Sequence, residues 1–190
     1  EKINRLTKKN HQGVFAFISP IDLHNIEDIV PALYEKGKVP LILVLDRITD
    51  VRNFGAIART AVCSGVDTIL IPEQNSAAIN ADAIKTSAGA LMKIPVCRTW
   101  NLKISIQFLK DSGIQIISCT EKTQDNMYNP DYNNPTAIII GSEEDGISKE
   151  ILKVSDKKAK IPMYGKIGSL NVSVATGIIL YEVIKQRNES

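Results

Sequence analysis

The stretch VPLILVLDRITDVRNFGAIARTAVCSGVDTILIP, from Val39 to Pro72, decides the fold. Val39–Asp46 is a continuous apolar run of strand length, as expected of a strand buried on both faces of a parallel sheet. A polar loop, RITDVRN, follows it. Phe54 to Gly65 then reads as a helix, with Asn53 placed to cap its start and Gly65 to stop it. DTILIP, ending at Pro72, is the next strand. Strand, helix, strand in this order is a βαβ unit, whose parallel strands need a crossover between them.

The same alternation continues outward. Downstream, NADAIKTSAGAL reads as a short helix and a glycine turn, KIPVCR as a strand, SIQFLKDSG as a helix and IQIISCT as a strand. A polar loop rich in Asn and Pro runs from Glu121 to Pro135. TAIIIG is then a strand, SKEILKVS a short helix, AKIPM a last strand, and Val172 onward a helix apolar on more than one face, which implies burial on several sides. Upstream, Ile26, Ile29, Val30 and Leu33 recur at helical spacing, with Pro31 shortening or kinking that helix. Gly13–Ile18 is strand-like. The pattern predicts an α/β fold: a parallel sheet with helices on both faces.

Composition narrows the class. At 190 residues and 44% hydrophobic content, the chain has the size and make-up of one globular domain. No apolar run is long enough for a membrane span, and no signal peptide opens the chain. Cys63, Cys97 and Cys119 are far apart and form no C-x-x-C pair. Cys63 and Cys119 sit in apolar text where buried thiols are common. With only His11 and His24 as imidazoles, no metal site is expected. A reducing, cytoplasmic setting fits these thiols. The net charge of +2 is small, but lysines cluster. Lys2, Arg5, Lys8 and Lys9 lie at the front, and Lys153, Lys157, Lys158, Lys160 and Lys166 near the end. Such runs are solvated faces or phosphate contacts.

Three loops at strand ends carry chemistry. In the first, Asn53 caps a helix whose Arg59 offers a fork for a phosphate or oxyanion; a cap with a surface salt bridge is the plainer reading. In the second, IIIGSEEDGIS, Gly141 ends a strand, Glu143 sits in the loop and Gly146 lets the backbone turn. An ordinary strand–turn–helix connection would look the same. In the third, IPMYGKIGSLNVSVA, the glycines Gly165 and Gly168 allow close backbone approach, and Ser169 or Asn171 caps the final helix. Ligands of open α/β sheets bind outside the carboxyl ends of the strands, where all three loops lie. The dinucleotide fingerprint G-x-G-x-x-G and the P-loop are both missing, which disfavours a dehydrogenase.

Taken in order, LDRITDVRNFGAIARTA, G-x-E-x-x-G at Gly141–Gly146 and IPM-x-G-x-x-x-SLNVSVA resemble the three motifs of the SpoU (TrmH) family of RNA ribose methyltransferases. The first departs slightly, with Val51 or Arg52 where the family often has proline. The resemblance covers nearly the whole chain from Asn10. It implies a deep trefoil knot at the C-terminus, a homodimer with the active site at the subunit interface, and S-adenosylmethionine as cofactor, without metal. It implies cofactor contacts at Thr120, Gly141, Ile161, Met163 and Leu170. The catalytic set it implies is Arg59, reaching in from the partner, with Asn53, Glu143, Ser169 and Asn171. NHQGVFAFI resembles the exit from a small RNA-binding domain, so residues 1–12 are expected to be a linker or its remnant and 13–190 the catalytic domain. These segments and KTSAGALMKIPV lean toward the branch that methylates a guanosine of large-subunit (23S) rRNA. A tRNA methyltransferase, a resistance-type rRNA enzyme and a non-catalytic assembly factor of the same fold are the alternatives. The last would be expected to lose Arg59 or Glu143, and both are present.

Overall fold

The computed structural model describes residues 19–189. The expected strand at Gly13–Ile18 and the basic front segment lie outside them. Seven strands form one all-parallel sheet in the order β1-β4-β3-β2-β6-β5-β7. They are β1 (Leu23–His24), β2 (Leu41–Asp46), β3 (Thr68–Pro72), β4 (Val96–Thr99), β5 (Gln115–Cys119), β6 (Thr136–Gly141) and β7 (Lys157–Ala159). The helices are α1 (Ile26–Glu35), α2 (Val51–Cys63), α3 (Ala81–Thr86), α4 (Leu102–Asp111), α5 (Lys149–Val154) and α6 (Val172–Asn188).

Successive side chains of a strand point to opposite faces, and the two cores follow that rule. Leu41, Leu43, Leu45, Ile138 and Ile140 pack with α2, α3 and α6 on one face. Ile42, Val44, Ala137 and Ile139 pack with α1, α4 and α5 on the other. Every residue of β2 and β6 is buried, so the unbroken apolar runs have the cause inferred for them. Burying a large aliphatic side chain contributes roughly 1.5–3 kcal/mol, which makes these two strands the anchor of the sheet.

Several boundaries differ from the expectation. The cap of α2 is Asp50, not Asn53: the Asp50 side chain accepts the backbone N–H of Asn53 at 2.7 Å. Asn53 therefore lies inside the first turn. Gly65 does stop that helix, at φ +70°. The last strand is Lys157–Ala159, and Ile161–Met163 beyond it is irregular. Cys63 is exposed rather than buried, Cys119 is intermediate and only Cys97 is fully buried. A two-residue strand, β1, is too short to show in the sequence. Pro31 sits within a ten-residue α1, one turn past the start, where a single ladder bond is forgone.

Helix α6 is fixed at its far end by Arg187. Its Nε donates to the Tyr132 carbonyl at 2.9 Å, Nη1 to Val39 at 3.0 Å, and Nη2 to Pro40 at 3.2 Å and Asn134 at 3.1 Å. Those carbonyls lie just before β2 and β6. Burial pulls this guanidinium's pKa down, with the Asp67 carboxylate opposing the shift. Arg187→Ala leaves four carbonyls without this donor and is expected to cost about 3 kcal/mol in urea denaturation. Arg187→Lys, a point donor that cannot span the four, should recover less than half of the loss.

Candidate active site at the carboxyl ends of β2 and β6

The parallel register pairs Asp46 with Gly141, so β2 and β6 end side by side. The chain leaves β2 toward β3 and β4 on one side and later fills β6, β5 and β7 on the other. This is the switch point at which open α/β sheets form their crevice. Buried Asp46 ties the two ends together: its Oδ2 accepts the Ser148 N–H at 2.7 Å. Arg47 follows in a left-handed conformation, φ 63°. Its guanidinium meets the Asp145 carboxylate at 3.0 Å and the Gly146 carbonyl at 3.0 Å. Strain of this kind persists where surrounding contacts enforce it, and here it aims Arg47 at the loop after β6.

That loop folds back sharply. The Gly146 N–H donates to the Ser142 carbonyl at 3.0 Å. A Cβ on Gly141 would lie 2.2 Å from the Gly146 carbonyl carbon and 2.2 Å from the Ile147 nitrogen. Gly141 is thus required by its own loop rather than by room for a ligand. Gly165 and Gly168 face open space instead: a Cβ on either would meet nothing within 4 Å. Gly55 is a packing glycine, since its Cβ would meet Thr86 Cβ at 2.7 Å where α2 crosses α3.

The three loops converge on Asn171. Its Nδ2 donates to Glu143 Oε1 at 2.7 Å and to Asn53 Oδ1 at 3.1 Å. Glu143 Oε1 also accepts the Val172 N–H at 3.2 Å, at the start of α6. The other end of the Asn171 amide caps α6 through the N–H groups of Ser173 and Val174. Of the two capping candidates, Asn171 is therefore the one used. Glu143 Oε2 has no protein partner among the described residues.

Beside this junction lies an inner cavity of about 390 Å³. Thr120, Gly141, Ile161, Met163 and Leu170 all line it, together with Glu143 and Ser169. An outer cavity of about 480 Å³ adjoins it across Glu143, Glu144, Asp145 and Val172, and holds Asn53 and Asp50. From Ile161 to Leu170, no backbone N–H or carbonyl has a protein partner among the described residues. These groups are left to solvent or to a ligand, and a cavity of a few hundred Å³ with apolar walls and polar backbone groups suits a small molecule. Cys119 forms part of the wall. Part of the residue's surface is open, but its sulfur sits among protein atoms, and this burial pushes the thiol up to about 12, with the Glu121 carboxylate adding to the shift.

Arg59 is the one expected residue that stays away. It lies about 9 Å further along α2 than Asn53 and roughly 240° around it. It is exposed, lines neither cavity and has no side-chain partner among the described residues. Asp46, Arg47, Asp50 and Asp145 do not stand out in the sequence. Their roles depend on β2 and β6 being neighbours, which only the LD-R text at a strand end could have hinted. Among the described residues no group of three or more His, Cys, Asp or Glu could hold a metal, and no helix is long and apolar enough to cross a membrane.

Residues 40–181 match the SpoU rRNA Methylase family. The chain belongs to that family. It is 38% identical over 178 residues to the 23S rRNA (guanosine-2'-O-)-methyltransferase RlmB of Vibrio parahaemolyticus, spanning 94% of this chain and 72% of the relative. Among solved structures, the TrmH/SpoU tRNA modifying enzyme of A. aeolicus is 35% identical with a TM-score of 0.72, covering 86% of this chain and 84% of that one. An AdoMet-bound rRNA methyltransferase from Sinorhizobium meliloti is 26% identical with a TM-score of 0.78, covering 86% and 61%. Asn53, Glu143 and Asn171, which the amide joins, all lie within the matched span.

Asn171→Asp keeps the helix cap but removes the amide donor and sets a second carboxylate against Glu143. It is expected to lose roughly 1–2 kcal/mol at pH 7, since like charges repel. The loss should shrink as pH falls through about 4, where carboxylates protonate. Urea denaturation at both pH values measures this, and adding Glu143→Gln should restore most of the stability at pH 7.

Proposed function

We propose that this chain transfers a methyl group from S-adenosylmethionine to a ribose 2′-oxygen of RNA, with a guanosine of 23S rRNA as the target. Membership of the SpoU family makes it an S-adenosylmethionine-dependent RNA methyltransferase. The observation that carries the site assignment is the Asn171 junction, which draws the three motif loops together where the inner and outer cavities meet. The rRNA target is supported by the 38% identity to RlmB. A tRNA target is the second reading, supported by the likeness to the tRNA modifying enzyme over most of both chains.

The residues fit the donor. Ile161, Met163 and Leu170 would hold its apolar portions, and the unpartnered backbone of 161–170 would supply hydrogen bonds to its polar groups. Thr120 closes one wall. S-adenosylmethionine supplies a methyl group on a sulfonium sulfur, which departs as a neutral thioether. Glu143 has two separate tasks: Oε1 holds the loop to α6, while the free Oε2 accepts the proton of the 2′-hydroxyl as the new C–O bond forms. Asn53 and Asn171 fix its position and Ser169 borders the reacting group, where orientation contributes most. Arg59 cannot serve as a base, since a guanidinium keeps its proton. It orients the ribose and stabilises the developing alkoxide.

Arg59 does this from a second subunit. Val174, 50% exposed, and Tyr181, 56% exposed, lie two turns apart on α6, and Tyr164 and Ile167 of the preceding loop are open as well. A second copy covers this apolar surface in an isologous dimer and brings its Arg59 to the cavity. The C-terminal trefoil knot is part of the same proposal. It is supported by the path of the chain, which leaves the outer edge strand β7 and returns past the end of β6 to pack α6 on α2. A crystallographic trace of residues 157–172 that passes outside the 120–146 loops would exclude the threading.

Three measurements test this reading. Mapping of 2′-O-methylation in cells lacking the protein should show loss at one 23S rRNA guanosine; loss confined to tRNA would transfer the assignment. Gly141→Ala displaces the 142–147 loop and should weaken S-adenosylhomocysteine binding at least ~10-fold by calorimetry; unchanged affinity would remove that loop from the donor site. Mixing Arg59→Ala and Glu143→Ala chains should recover activity through one intact site per heterodimer. No recovery after confirmed subunit exchange would place both residues in one chain's site.

A further inference from the structure

Trp100 is the chain's one tryptophan, and it is 76% exposed. It stands between the end of β4 and Asn101, which caps α4. An apolar residue at this place commonly packs on the fourth helical residue as a staple. Here that residue is Ser105, which is buried and donates to Thr99 Oγ1 at 2.9 Å, so no staple forms. The indole nitrogen has no partner among the described residues. Trp100 therefore has no role in its own helix start.

It does have a place in a groove. A third cavity, of about 450 Å³, is lined by Trp100, Lys103, Gln74, Asn75 and Arg47. Asn75 and Arg47 also line the outer cavity, which in turn shares Glu143 with the inner one. The three form one track along the carboxyl ends of β6, β2, β3 and β4. At ~4.8 Å per strand, its far end lies about 14 Å from Glu143. The Asn75 backbone is held at φ 56°, and the side-chain amides of Gln74 and Asn75 have no partner among the described residues. Asp50, Glu143, Glu144 and Asp145 line the middle of the track against one cation, Arg47, which is paired with Asp145. Carboxylates there repel phosphates, so a strand of RNA lying in it turns its bases and riboses inward and keeps its backbone outside.

From this geometry we infer that the track holds single-stranded RNA flanking the methylated nucleotide, with Trp100 stacking on one flanking base and the amides of Gln74 and Asn75 reading its edge. Aromatic stacking suits unpaired RNA bases, and side-chain amides can hydrogen-bond base edges. The inference rests on the RNA methyltransferase reading above, and it adds a specificity subsite that the three motifs do not contain.

The single tryptophan provides the readout. The probe is unmodified 23S rRNA transcript, with S-adenosylhomocysteine present and binding followed independently by gel shift. Saturating RNA should quench and shift the Trp100 emission. Trp100→Ala should raise KM for the transcript about 10-fold with kcat and S-adenosylhomocysteine affinity unchanged, and Trp100→Phe should recover most of the loss. Gln74→Ala with Asn75→Ala should change which flanking base is preferred. Methylation at full efficiency by Trp100→Ala, or unchanged emission while the gel shift shows bound RNA, would overturn the inference and leave the methyltransferase reading intact. Quenching by RNA with no methylation of the transcript in a parallel assay with S-adenosylmethionine would overturn the 23S target reading, and with it the assignment of the track to nucleotides flanking a methylated one. An emission change on simple dilution of the protein, without RNA, would place Trp100 in a subunit contact and also overturn it.

Discussion

One side-chain amide joins three loops that lie far apart in sequence. Asn171 spans Glu143 and Asn53, while its carbonyl oxygen starts α6. Each bond taken alone contributes on the order of 1 kcal/mol. Their importance is geometric. Asn53 follows β2, Glu143 follows β6, and Asn171 ends a ten-residue segment without any other backbone anchor. Without the amide, the bond from the Val172 N–H to Glu143 would be the one remaining hydrogen bond between the end of that segment and the loop after β6 among the described residues. The segment that forms the cavity wall is thus held at its two ends, by Ile161 against the core and by the Asn171 junction, while its backbone groups stay unbonded between them.

The sheet supplies the fixed frame for that junction. Fully buried β2 and β6 place Asp46 and Gly141 side by side, and the loop after Gly141 closes so tightly that no side chain fits there. Arg47, in a backbone conformation unusual for its type, holds the loop from the β2 side. At the opposite end of the domain, Arg187 ties α6 to the chain entering the same two strands. The final helix is therefore held at both ends to β2 and β6, and its open apolar side chains are presented in a defined direction.

The layout was legible because its signals are local. Unbroken apolar runs marked β2 and β6, helical spacing marked α1 and α4, and Gly65 marked the end of α2 as it does in the fold. The errors came where two residues competed for one role. Asp50 and Asn53 both suit an N-cap, and the choice depends on where the strand lets the chain turn. In AKIPM, apolar text suggested a strand, but pairing with β5 stops at Ala159 and the remainder lines a cavity. Cys63 looked buried because its neighbours are apolar, yet it faces outward at the last turn of α2. All five residues assigned to the donor site do meet in one cavity, while the spatial ties through Asp46, Arg47 and Asp145 needed the sheet order. Arg59 shows the limit most clearly: the motif resemblance marks it as a candidate, and a single chain leaves it outside both cavities.

The wall thiol has a bearing on chemical durability. A sulfonium methyl donor alkylates any competent nucleophile held within reach, and a cysteine in the lining is the side chain most at risk. The thiolate, not the thiol, is the reactive species. Burial pushes the Cys119 pKa well up, with the Glu121 carboxylate adding to the shift, so the neutral thiol is the favoured form. A thiol kept protonated in this wall is a poor nucleophile toward an electrophilic ligand of the cavity.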